Sequence, residues 1–145
     1  MIMVKRNKRE IGSRYEEIAA AYFLARNYQI LKRNFYTLEG EVDIIARDKE
    51  FLVFIEVRYR INTRYGHPLE SISLRKKQRL VSAAKIYLRQ EGLSLDIPCR
   101  FDVLGILGSQ DQRSWISQNQ QVSLEERDVK PLIEHIENAW QLDEV

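Results

Sequence analysis

A chain of 145 residues, 44% hydrophobic and 30% charged, is long enough to bury one substantial core and has the balance of a soluble globular domain. No apolar run approaches the roughly 18 residues of a membrane helix, and the N-terminus Met1-Ile-Met-Val-Lys-Arg lacks the hydrophobic stretch of a signal peptide. A lone cysteine, Cys99, excludes an intrachain disulfide and a CxxC zinc site, and the distant His67 and His135 make no zinc site either. The expectation is a single domain over residues 1–145, cytoplasmic, with no membrane partner.

The formal charge of +2 hides an asymmetry. Residues 1–107 hold 20 Lys/Arg against 13 Asp/Glu, whereas residues 108–145 hold 3 against 8. A basic field around a small acidic cluster suits a metal-dependent enzyme acting on a phosphodiester, because the backbone must be attracted while the metal is held. The plainer reading is a solvated surface that is merely uneven.

In chain order, a helix is expected from Ser13 to about Arg26, with Ile18, Ala21, Tyr22 and Ala25 on one stripe. Ser13 and Glu16 have the spacing of a capping box. Tyr28 to Phe35 alternates as a strand, and Thr37-Leu-Glu-Gly40 reads as the turn that follows. Next comes a hairpin, Glu41–Arg47 returning as Leu52–Arg58.

A turn centred between Lys49 and Glu50 sets Asp43 opposite Glu56 and Glu41 opposite Arg58. The same register gathers Val42, Ile44, Ala46, Val53, Ile55 and Val57 on the other face. Asp48-Lys49-Glu50 is not the Asn-Gly or Asp-Gly of a two-residue hairpin, and a three- or five-residue loop would slip the pairing by one. Carboxylates about 5 Å apart across a ladder repel, by roughly 1 kcal/mol in water and roughly 3 at an effective dielectric near 20. A divalent cation such as Mg²⁺ or Mn²⁺ would offset that repulsion.

Ile61 to Ser71, with Gly66-His67-Pro68 inside it, reads as a loop leaving the site-bearing strand. A second helix is expected from Ser73 to Gln90, ended by Gly92, then a strand from Cys99 to Leu107. Ser114 to Ser117 is a short strand candidate. A final helix opens at Pro131 and carries Leu132, Ile133, Ile136 and Trp140. The core is thus expected over about 13–107, with 108–145 as a C-terminal extension. Asp102 reads as structural, with Arg100 as its partner, and Glu41 with Arg58 as a cross-strand ion pair.

Arg58-Tyr-Arg-Ile-Asn-Thr-Arg-Tyr65 interleaves cations with aromatics directly after the site, a mixture suited to phosphate contacts and base stacking. Arg60, Arg64 and Tyr65 are therefore expected to contact DNA. Arg75-Lys-Lys-Gln-Arg79 opens the second helix, where the dipole also favours an anion, and adds Lys77. The plainer reading of both runs is a solvated basic surface.

The order helix, three strands, helix, strand resembles the core of the restriction-endonuclease-like fold. Its signature is an acidic residue on one strand followed by (Asp/Glu)-x-Lys on the next. Asp43 and Glu56-Val57-Arg58 look like that PD-(D/E)xK pattern with the last position altered. Glu16, Ala19, Tyr22-Phe23, Tyr28-Gln-Ile-Leu31, Arg33-Asn34, Gly40-Glu-Val-Asp43, Val53-Phe-Ile-Glu-Val57 and Arg60 resemble the YraN family of small bacterial proteins. So do Gly66, Ile72, Lys76, Arg79-Leu80, Arg100-Phe-Asp-Val103 and Asn138-Ala-Trp140.

The resemblance spans nearly the whole chain and implies an α/β, αβββαβ core with a mixed sheet flanked by helices, here extended by the C-terminal helix. Through its likeness to archaeal Holliday-junction resolvases it also implies a metal-dependent endonuclease acting on DNA, branched DNA included. Asp43 and Glu56 would be metal ligands, Glu16 a third carboxylate, and Arg58 and Lys76 catalytic cations. Two departures stand out. Tyr15 occupies a position where the family has glycine, a matter of packing. Arg58 replaces the motif lysine, and guanidinium is a planar donor fork but a poor base. The competing readings are a nucleic-acid-binding module that has lost hydrolysis, and a protein-interaction module acting through the acidic C-terminal segment.

Overall fold

The computed structural model describes residues 8–60, 72–107 and 132–142. Its elements are α1 (Lys8–Ala25), β1 (Gln29–Tyr36), β2 (Glu41–Asp48), β3 (Phe51–Arg60), α2 (Leu74–Gln90), β4 (Cys99–Leu107) and β5 (Leu132–Trp140). The strands form one five-stranded sheet in chain order. All neighbours are antiparallel except β3 and β4, which the α2 crossover makes parallel. This is the α/β restriction-endonuclease-like core in the expected order. Among the described residues no helix is long and apolar enough to cross a membrane.

The two faces of the sheet carry separate cores. Leu80, Val81, Ala84 and Leu88 of α2 pack on Ile45, Leu52, Phe54, Phe101 and Val103. Ala19 and Phe23 of α1 pack on Ile44, Ala46, Val53, Ile55, Leu104 and Ile106. β3 and β4 are covered on both sides, which is why they read as continuous apolar runs.

Helix α1 starts at Lys8, so Ser13 lies within it and is not its cap. Lys8, Arg9 and Glu10 favour helix, and an interior serine costs only about 0.5 kcal/mol. The hairpin turn is centred between Lys49 and Glu50 as expected, and it is a two-residue turn despite its composition, with Asp48 opposite Phe51. Lys49 takes the left-handed φ of 54° that asparagine or glycine adopts more cheaply. The loop from Ile61 to Ser71 and the strand candidate at Ser114 to Ser117 lie outside the described residues.

The expected C-terminal helix is a strand. β5 pairs with β4 from Leu107↔Leu132 to Val103↔Ile136; the register then shifts, and the next pair is Phe101↔Trp140. Glu137, Asn138 and Ala139 therefore oppose Asp102 alone, with Asn138 at φ 51°. The bulge adds two residues and so keeps the parity of the alternation: Ile136 and Trp140 both join the α2-side core, and Ile133 the opposite one. The spacing of Leu132, Ile133, Ile136 and Trp140 imitates a helical stripe because it draws on both faces of the strand.

Candidate functional site

The site begins where the hairpin ladder stops. β2 and β3 pair in the expected register from Asp48↔Phe51 to Ile44↔Ile55, and the backbone pairing ends there. At the next position Asp43 sends its side chain into the ladder, and the Val57 N–H donates to its Oδ2 at 2.8 Å. A carboxylate is a stronger acceptor than a carbonyl, so the strands part rather than pairing on to Glu41 and Arg58. The phase of β2 changes with it: Val42 joins the α2-side core and not the face of Ile44. On β1 the same level falls between Arg33↔Ile44 and Phe35↔Val42, where Asn34 takes φ 53°.

Glu56 is only 5% exposed. Burial and the adjacent Asp43 charge push its carboxyl up to about 8. Burial raises Asp43 as well, against the lowering effect of the Val57 hydrogen bond and the Glu56 carboxyl. Near neutral pH the pair therefore retains a proton, shared between the two carboxyls. Glu56 Oε2 is buried with no hydrogen-bond partner among the described residues.

Two cations border the pair. Lys76 Nζ lies 3.7 Å from Glu56 Oε1 and 3.8 Å from Glu41 Oε1, so the second helix does bring its ammonium to the hairpin. Arg58 Nε lies 3.5 Å from Glu56 Oε1, buried and without a hydrogen-bond partner among the described residues. The Glu41–Arg58 pair expected from register is replaced by Glu41–Lys76 and Glu56–Arg58.

Lys76 is placed by two local devices. Ser73 caps α2, its Oγ accepting from the Lys76 N–H at 3.1 Å. Gly40 lets the helix approach the β1–β2 turn, because a Cβ at this position would stand 2.3 Å from the Arg79 carbonyl oxygen.

The remaining expected site residues are dispersed. Glu16 Oε2 receives a long 3.5 Å hydrogen bond from Asn34 Nδ2. Asn34 sits on β1 level with Asp43, and among the described residues no three His, Cys, Asp or Glu side chains are grouped as a metal site. Arg60 ends β3, half-buried. Lys77 lies with Nζ 5.5 Å from the Trp140 ring centre, engaged with the α2-side core. Arg64 and Tyr65 fall outside the described residues. Tyr15 stacks on Tyr59 with ring centres 3.7 Å apart, a packing role.

A buried and a half-buried carboxyl side by side, one with an oxygen that has no partner among the described residues, fit a hard divalent cation. They supply part of its oxygen shell and leave positions for water or phosphate oxygens. The fit is to Asp43 and Glu56 specifically.

A second buried polar cluster lies on the α1 face. Asp102, fully buried, accepts from Arg100 Nε at 3.1 Å, His135 Nε2 at 2.7 Å and the Asn138 N–H at 3.0 Å. Burial alone would raise its carboxyl, but the hydrogen bonds from His135, Arg100 and Asn138 win and lower it. Arg100 also reaches Asp48 at 2.9 Å and the Tyr28 hydroxyl. Arg100 is the partner expected from sequence. The contribution of His135 and Asn138 was invisible there, since it requires β5 to be a strand.

The family model described as Uncharacterised protein family UPF0102 matches residues 15–106. A UPF0102 protein of Carboxydothermus hydrogenoformans is 40% identical over 116 residues, 80% of this chain and 97% of its own. One from Nitrosococcus oceani is 42% identical over 110 residues, 74% and 89% respectively. A third, from Hahella chejuensis, is 45% identical over 108 residues, 74% and 86%.

Proposed function

The chain belongs to the uncharacterised protein family UPF0102, the YraN family whose motifs it carries, and we propose that it is a metal-dependent endonuclease hydrolysing phosphodiester bonds in DNA. The observation that carries this reading is the Asp43–Glu56 pair: a half-buried carboxyl beside a buried one whose Oε2 has no hydrogen-bond partner among the described residues, at the point where the ladder opens. The proton shared with Asp43 is the partner that the pair itself can offer that carboxyl, and a divalent cation would take its place.

Asp43 and Glu56 would hold one or two Mg²⁺ or Mn²⁺ ions, with Glu16 as an outer carboxylate. When bound, such an ion lowers the pKa of a coordinated water and stabilises charge developing on the phosphate. The Val57 N–H keeps Asp43 aimed, and the proton shared by Asp43 and Glu56 would leave where a cation binds. Lys76 supplies the ammonium that the motif places where this chain has Arg58, and the Arg58 fork donates to phosphate oxygens. Arg60, Arg64, Tyr65 and Lys77 would position the strand. Acting on DNA, the protein would work in the cytoplasm.

Purified protein incubated with Mg²⁺ or Mn²⁺ and linear duplex, single-stranded, flap and four-way-junction DNA is the direct test. Cleavage that disappears in Asp43→Ala and Glu56→Ala, together with loss of Mn²⁺ binding by calorimetry, is the expected result. Unchanged Mn²⁺ affinity in both variants would overturn the assignment. Arg58 at the lysine position favours a second reading, a nucleic-acid-binding module without hydrolysis. Salt-dependent DNA binding with no cleavage on any substrate would select it.

A further inference from the structure

Tyr36 and Leu38 flank the carboxylate site and take no part in holding it together. Tyr36, the last residue of β1, is 68% exposed and is the cross-strand partner of Glu41. The Glu41 carboxylate in turn lies 3.8 Å from Lys76 Nζ. Leu38, in the turn between β1 and β2, is 105% exposed, as bare as in an extended peptide.

The turn that presents Leu38 is tightly held. The Thr37 N–H and hydroxyl donate to the Gly40 carbonyl at 2.8 and 2.7 Å, and the N–H groups of Glu39 and Gly40 donate to the Thr37 Oγ1 at 3.1 and 3.0 Å. Arg79 Nε reaches the Glu39 carbonyl at 3.4 Å, and Gly40 is pressed against the Arg79 backbone. Leu38 therefore cannot fold back onto the core. The backbone is organised to keep an apolar side chain in water beside the site.

Charge narrows what covers it. The start of α2 brings Arg75, Lys76, Lys77 and Arg79 and no acidic residue in its first turn, against Glu39 and Glu41 on the hairpin side. A polyanion with flat apolar faces answers both features, and that is nucleic acid. In an intact duplex every base is stacked on both sides. Only an unpaired or pried-open base has a free face to offer.

We propose that Tyr36 and Leu38 form a wedge that receives an unstacked base of the DNA strand at the site, Tyr36 stacking on the base and Leu38 filling the gap it leaves. The substrate class is then DNA with an unpaired or easily opened base next to the phosphate that is cut. This inference rests on the nuclease reading and deepens it.

The experiment compares wild type, Tyr36→Phe and the double variant Tyr36→Ala/Leu38→Ala. Affinity is measured in EDTA for intact duplex and for the same duplex carrying a short single-stranded gap, across a salt series. Wild type and Tyr36→Phe should prefer gapped DNA. The double variant should lose about ten- to hundred-fold on gapped DNA alone, with the salt slope unchanged because the phosphate contacts remain. Equal preference in wild type and double variant overturns the wedge, while Mn²⁺-dependent cleavage by both would leave the nuclease reading standing. Absence of DNA binding by wild type overturns both. Sedimentation showing a dimer that the double variant breaks would assign the patch to a second copy of the chain and overturn the wedge.

Discussion

Glu56 binds a proton more tightly in the folded chain than in the unfolded one, and that has a definite sign. Its stabilising effect is complete below the ordinary value of 4.5 and is lost as pH rises through about 8. Glu56→Gln mimics the protonated form at every pH. In metal-free buffer the variant should match wild type near pH 5 and exceed it by a margin that grows as pH rises toward 8.5, read from urea unfolding. A variant less stable than wild type at both pH values would mean that the carboxylate is held by Lys76 and Arg58 as a structural ion pair. Arg58 is the other residue whose role the geometry sharpens, since its buried Nε sits 3.5 Å from Glu56 without a hydrogen-bond partner among the described residues. Arg58→Lys should keep metal-dependent cleavage, and Arg58→Ala should lose about 10²–10³-fold with Mn²⁺ affinity nearly unchanged. A loss of stability without any kinetic effect would reduce Arg58 to a charge partner.

At the scale of elements, the site depends on α2 lying against the β1–β2 turn. Gly40→Ala would put a Cβ on the Arg79 carbonyl, and backbone on both sides leaves no flexible side chain to yield. The variant should lose about 1–3 kcal/mol, and because the helix start moves, cleavage should fall further than stability alone explains. Cleavage at wild-type level in the folded fraction would separate helix placement from activity. The hairpin itself was legible because period-two alternation and a two-residue turn fix a register, and Asp48↔Phe51 and Ile44↔Ile55 follow it. The break at Asp43 was not legible. Nothing in the alternation says that a carboxylate will displace a ladder bond or that Val42 will change faces.

The whole molecule is closed by the Asp102 cluster, which ties β4 to β5 through His135 and Asn138, and through Arg100 to Asp48 and Tyr28. Asp102→Asn leaves Arg100 and His135 facing a neutral group in a buried setting and should cost about 3–5 kcal/mol, measured by denaturant unfolding at pH 7. The folded carboxyl titrates below the ordinary value of 3.8. Wild type should therefore hold this contribution above that pH and lose it as pH falls through the folded value, converging on the variant in acid. A gap that persists undiminished to acid would show that the effect is packing and not charge. The sequence by itself determined the order of the first six elements and the hairpin register from Asp48↔Phe51 to Ile44↔Ile55, because each follows from local periodicity. Only the tertiary structure decided that residues 132–140 form a strand, that Lys76 reaches Glu56, and that Asp102 is shared by Arg100 and His135. Those contacts join residues far apart in the chain, and β5 is disguised as a helix because its apolar residues fall on both faces, Ile133 on one and Ile136 and Trp140 on the other.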